Sequence, residues 1–168
     1  PQGRGFECRA DRGAAGPSAP QEGLRVQGGC QCGAVRFEAD VASDDAYLCH
    51  CRMCQRASGN VSIAFVNLSK SAVIWLSEPE WYHSSPIARR PFCSTCGTPL
   101  GFQYHEGETM DLHVATFDDP SRFVPKHHYG VETRLEHWRD TKDLPDYKIT
   151  DSQKTVDLWM NAIGKLPD

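Results

Sequence analysis

Apolar and polar residues alternate with a period of two along much of the chain. In AVRFEA (34–39), Val35 and Phe37 face one way and Arg36 and Glu38 the other, and VSIAFV (61–66) alternates in the same manner. SAVIWL (71–76) is a mostly apolar run. IARRPF (87–92), TPLGFQY (98–104) and MDLHVATF (110–117) complete a set of short strands, punctuated by SEPE, SSP, EGE and DDPS. Short strands broken at regular intervals by turn residues predict a mostly β, mostly antiparallel architecture. Helix is scarce. The segment after Cys51 has room for about one turn. DSQKTVDLWMNAIGK (151–165) places Val156, Trp159, Met160 and Ile163 at i, i+3, i+4 and i+7, with Ser152 or Asp151 to cap it and Gly164 to end it. A short C-terminal helix is expected there, packed against its own domain.

The pattern begins near Leu24. Residues 1–23 are rich in Gly, Pro, Ala and charge, and Phe6 is their only large apolar residue. They read as a flexible extension or a targeting remnant, with Cys8 an uninvolved surface thiol. Residues 24–138 form the expected β domain, and 139–168 a C-terminal segment carrying the amphipathic helix. Among 168 residues, 18 Lys and Arg stand against 22 Asp and Glu, a net charge of −4. That balance disfavours nucleic acid as a partner. No apolar run approaches membrane-spanning length.

The eight cysteines change the picture. Seven fall into three tight groups: Cys30-x-Cys32, Cys49-x-Cys51-x-x-Cys54 and Cys93-x-x-Cys96. Neighbours this close seldom reach disulfide geometry, and a domain of this size has little need of such staples. The thiols read as reduced and cytoplasmic, and paired close cysteines signal zinc. Residues i and i+2 of an extended segment point to one side, so Cys30 and Cys32 can face one ion. Cys93-x-x-Cys96-Gly97 has the form of a zinc knuckle, with Gly97 suited to the left-handed conformation of such a turn. The two pairs together make a closed four-cysteine site. Cys49, Cys51 and Cys54 remain, and with no fourth core cysteine they leave one metal position for water or substrate, the pattern of a catalytic zinc. The spacing also admits a different partition of the ligands, a histidine as fourth ligand, or two purely structural ions. His50 should point away from its flanking cysteines, and the other histidines read as surface or hydrogen-bonded residues.

Thiolate-bound zinc leaves both sites anionic. Arg52 and Arg56 flank the triplet and are candidates to offset that charge or to bind an anionic substrate. Arg89 and Arg90, ahead of the knuckle, read as ordinary solvated arginines.

GGCQCGAVRFEA, CHCRMCQRASG and RPFCSTCGTPLGF resemble the glutathione-dependent formaldehyde-activating enzyme family, which includes centromere protein V. The resemblance runs from about Gly28 to about Trp138, with DDPSRFVPKHHYG and LPDY as weaker echoes. It implies a β-tent, small antiparallel sheets organised around zinc. It implies a structural zinc on Cys30, Cys32, Cys93 and Cys96 and a catalytic zinc on Cys49, Cys51 and Cys54. The implied activity is that of a carbon–sulfur lyase, joining the thiol of glutathione to formaldehyde as S-hydroxymethylglutathione. The chain's own residues also accommodate a zinc enzyme for another small electrophile, or a zinc-stabilised binding module without catalysis. The expected partners are a small thiol and an aldehyde.

Overall fold

A computed structural model describes residues 24–167, so the expectations for residues 1–23, Cys8 included, lie outside the described residues. The elements are β1 (Leu24–Gly29), β2 (Arg36–Val41), β3 (Asp45–Cys49), α1 (Arg52–Ser58), β4 (Ile63–Ser69) and β5 (Val73–Trp75). They continue with β6 (Glu80–Ser85), β7 (Ala88–Phe92), β8 (Gly101–Tyr104), β9 (Thr109–His113), β10 (Val124–Tyr129) and α2 (Gln153–Ile163). The described residues form two units, 24–134 with all ten strands and 135–167 with α2. In the second unit the Ser152 hydroxyl accepts the Thr155 N–H, and Gly164 closes α2 in a left-handed conformation, at the two ends the sequence pattern marks.

The first unit holds two sheets. One is three-stranded, β1-β2-β5, and the other seven-stranded, β10-β3-β4-β9-β8-β7-β6. The expectation of small antiparallel sheets needs correcting in two respects. One sheet is large, and β10 runs parallel to β3 while the other pairs are antiparallel. A parallel neighbour needs a long connection, and β10 is reached from β9 through two short helical turns rather than a hairpin. Strands β1, β3, β6 and β10 also escape the pattern reading. β10, VPKHHY, is exposed at every position, so it carries no alternation to detect.

Alternation along the large sheet sorts side chains onto two faces. Val66 and Leu68 of β4 and Met110 and Leu112 of β9 point into the main core with Phe37, Ala39, Phe117 and Phe123. The intervening Phe65 and Asn67 of β4 and Asp111 of β9 point to the opposite face, where a cavity lies. Both faces are therefore covered, and Asp111 is buried although its strand also packs the core.

Phe37 anchors that core. It is fully buried and meets Trp75 and Phe117 edge-on, with ring centroids 5.6 and 5.3 Å away. Gly28 allows this packing, since a Cβ there would sit 2.3 Å from Phe37 Cζ and 2.4 Å from the Thr116 carbonyl oxygen. Gly28 also bridges to Phe117. Gly28→Ala should therefore cost about 1–3 kcal/mol through overpacking. Denaturant melts of the two proteins check this, and an unchanged midpoint would contradict it.

Candidate metal centres and the cavity between them and the sheet

Cys30 and Cys32 sit at the end of β1 and in the turn that leads to β2, and Cys93 and Cys96 lie between β7 and β8. Each pair belongs to a different sheet, so one four-cysteine centre joins the two sheets. The four sulfurs lie within 4.8 Å of one another. Two of the separations are 3.5 Å (Cys30–Cys32) and 3.8 Å (Cys32–Cys93), and all four residues are free thiols. Tetrahedral zinc with bonds of about 2.3 Å requires sulfurs about 3.8 Å apart, whereas a disulfide requires about 2.05 Å. The donor set therefore fits zinc. Local donors also favour thiolates. The Val35 N–H donates to Cys30 Sγ at 3.2 Å, and the Thr98 side chain and backbone hold the Cys96 thiol down to about 5. Gly97 adopts φ +77°, the conformation expected for the knuckle turn.

The second centre is assembled from one short segment. Cys49 ends β3, and Cys51 caps the N-terminus of α1, its sulfur accepting the Cys54 N–H at 3.4 Å. A sulfur thus takes the place usually filled by a Ser or Asp oxygen. The three sulfurs again lie within 4.8 Å of one another, with Cys49 and Cys54 buried. His50 points away from the cluster's ligand side, as expected: its Nε2 meets His128 Nδ1 at 2.9 Å. Its backbone is held from both sides, the N–H donating to the Tyr129 carbonyl at 2.8 Å and the C=O accepting from Gln55 Nε2 and Thr133 Oγ1 at 2.9 Å each. Gln55 is nearly inaccessible and also donates to Thr133 O at 3.0 Å. This pinning of the Cys49–Cys54 segment was invisible in the sequence, where nothing marks Gln55.

The arginines fall differently from expectation. Arg52 folds back onto Gln55 Oε1 at 3.0 Å, Arg56 is exposed in the last turn of α1, and neither lines the cavity. Arg90, read from sequence as solvated, is instead 6% exposed and donates from Nη2 to Cys54 Sγ at 3.4 Å. Its guanidinium lies over Phe102, 4.8 Å from the ring centroid. Arg89 stacks on Trp81 at 3.9 Å. The Cys54 thiol is held down to about 5, first by its hydrogen bond from Cys49 and then, against the cost of burial, by Arg90 and Cys51. Cys49, the donor in that bond, is pushed up. His113, behind this group, is pushed down to about 4 by burial and then by the Arg90 charge, so it stays neutral.

Cys49, Cys51 and Cys54 open onto a cavity of about 510 Å³ on the cavity face of the large sheet. Its walls are aromatic and apolar, with Asp111, Asn67 and Arg90 among its polar members. That size and lining suit a small organic ligand. A three-sulfur cluster facing such a cavity, and a four-sulfur cluster whose Cys30 and Cys93 are buried beside Val35 and Leu100, are different kinds of site.

The family model for glutathione-dependent formaldehyde-activating enzyme matches residues 25–133. This chain belongs to that family. An uncharacterized lyase of Schizosaccharomyces pombe is 33% identical over 140 residues, covering 83% of this chain and 97% of the relative. A crystal structure of a Rhodobacter sphaeroides protein superposes with a TM-score of 0.51 at 23% identity, covering 61% of this chain and 98% of that one. The latter likeness concerns the fold alone. The family match takes in both cysteine clusters and every residue lining the cavity.

Proposed function

We propose that this chain is a zinc-dependent enzyme of the carbon–sulfur lyase type that joins a small thiol to a small aldehyde, with glutathione and formaldehyde as the leading pair. The observation that carries the reading is the three-cysteine cluster opening onto a ligand-sized cavity. Cys49, Cys51 and Cys54 would hold the catalytic ion; Cys30, Cys32, Cys93 and Cys96 would hold a structural one. When bound at the open cluster, zinc lowers the pKa of a thiol and polarises a carbonyl oxygen.

The chain's own residues supply the rest. Arg90 keeps Cys54 in its thiolate form and offsets the negative charge of three sulfurs. The aromatic walls exclude water and hold two small reactants together, the proximity that makes a bimolecular addition efficient. The thiol gives its proton to solvent, its sulfur attacks the aldehyde carbon, and the carbonyl oxygen takes up a proton to become a hydroxyl. The reverse breaks the same carbon–sulfur bond. A reduced, cytoplasmic setting suits seven free thiols.

Calorimetric titration of zinc-loaded protein with glutathione tests the reading. Saturable binding at millimolar ligand or below is expected, and it should vanish in Cys54→Ala. No heat of binding in the wild type would remove glutathione as the substrate.

A further inference from the structure

Asp111 presents a carboxyl group that the metal clusters do not use. It is 8% exposed and lines the cavity, yet it makes no ion pair with any described lysine or arginine. A neutral donor fixes it in place: Asn67 Nδ2 donates to Oδ1 at 2.8 Å, and Tyr47 lines the same cavity. Tyr47 is itself clamped, stacked on His127 with ring centroids 5.2 Å apart and 8° between planes, and tilted against Phe65. A buried carboxylate without a cation is costly, and burial raises the Asp111 pKa while the Asn67 hydrogen bond and Tyr47 hold it back. A fixed anion in a cavity is a binding group in search of a cation.

The walls around it fit the same ligand. Phe65, Phe102, Tyr104 and Tyr129 line the cavity with Tyr47, and Phe102 pairs directly with Asp111 across β8 and β9. Phe102 and Tyr104, both in the cavity wall, meet edge-on at 4.9 Å. Aromatic faces beside a carboxylate are the chemistry that recognises an ammonium group, through cation–π attraction and a charge-assisted hydrogen bond. The one guanidinium in the cavity wall, that of Arg90, is engaged with Cys54 Sγ at 3.4 Å and with Phe102.

We infer that Asp111, set among these aromatic rings, binds the ammonium group of a thiol substrate and so selects aminothiols over uncharged thiols. The inference rests on the reading of Cys49, Cys51 and Cys54 as the sulfur-binding end of the cavity, and it adds the substrate class at the other end. The thiol is held at two points, its sulfur at the cysteine cluster and its ammonium at Asp111. An amino-acid-bearing thiol such as glutathione belongs to this class, as do simple ω-aminothiols.

The test is calorimetric binding to zinc-loaded protein of two matched series, ω-aminothiols and ω-hydroxythiols with two to six carbons. The expected result is a preference of about tenfold or more for the ammonium series at the chain length that spans the cavity. Asp111→Asn keeps the shape and an oxygen for Asn67 Nδ2 while removing the charge. It should abolish the preference and leave hydroxythiol affinity within about twofold. Equal affinity for the two series at every length overturns the inference while leaving the thiol site standing. A preference that survives in Asp111→Asn also overturns it. Failure of both series to bind in the wild type overturns the thiol site itself, and this inference with it. A circular dichroism melt and zinc content matching wild type certify that the variant is folded and loaded.

Discussion

Cys93→Ala is expected to leave the first unit unable to fold. Cys93 is 1% exposed and forms, with Cys30, Val35 and Leu100, a small cluster separate from the main core. That cluster has little apolar area of its own, so under the proposed function its cohesion would come from four sulfurs gripping one ion. The sulfurs come from the β1–β2 turn and the β7–β8 connection, which lie in different sheets. Zinc at a closed cysteine site contributes about 10–16 kcal/mol, and a domain of this size is stable by only about 5–15 kcal/mol. Losing one ligand, and with it the ion, removes more than the domain can spare. The measurement is a circular dichroism melt with metal analysis of purified Cys93→Ala. The expected outcome is no cooperative transition and zinc well below the wild-type content. A cooperative melt within a few degrees of wild type would show that the two sheets hold together without this centre.

The contrast between the two clusters explains how far the sequence could be read. The three cysteine groups were legible because their short spacings survive without knowledge of the fold; the spacing left their partition open, and the structure gathers Cys30, Cys32, Cys93 and Cys96 into one cluster and Cys49, Cys51 and Cys54 into another. Six strands were legible for a similar local reason: alternation marks a strand with one covered face. β10 has no such mark, since all six of its residues are exposed at their own positions, and its parallel pairing with β3 depends on a partner far off in the chain. Arg90 and Asp111 were illegible for the opposite reason. In RRPF and MDLH a charged residue alternating with apolar ones signals a solvent face. Here that face is roofed by α1 and β10 side chains around the cavity, Met53, Cys54, His127 and Tyr129 among them, so the polar positions are buried too. A period of two shows which residues share a face, and it cannot show whether the second face is covered. Sequence nearness to the cysteines put Arg52 and Arg56 forward, and neither lines the cavity; Arg90, distant in sequence on β7, is the arginine that meets Cys54 of α1.

Cys54→Ala is expected to abolish turnover while the first unit still folds, at a stability cost larger than its lost ligand alone explains. The three-cysteine cluster is built on one segment held by Gln55, Thr133 and Tyr129, so the sheets do not depend on it. Its metal does: two sulfurs cannot replace three, and zinc content should fall from two ions to one. The further cost comes from Arg90. In Cys54→Ala its guanidinium stays buried with Phe102 beneath it and no sulfur at 3.4 Å. Removing one partner of a buried charge pair typically costs about 3–5 kcal/mol, because the other charge is left uncompensated. Arg90→Met, with a flexible apolar side chain of similar length, removes that burden. The double variant Cys54→Ala/Arg90→Met should therefore be more stable than Cys54→Ala, by about 1–3 kcal/mol, though equally inactive. Denaturant melts of the wild type, both single variants and the double variant complete the cycle. Additive effects would mean that Arg90 and Cys54 do not stabilise each other, and Arg90 would then be a packing residue with no part in holding the thiolate.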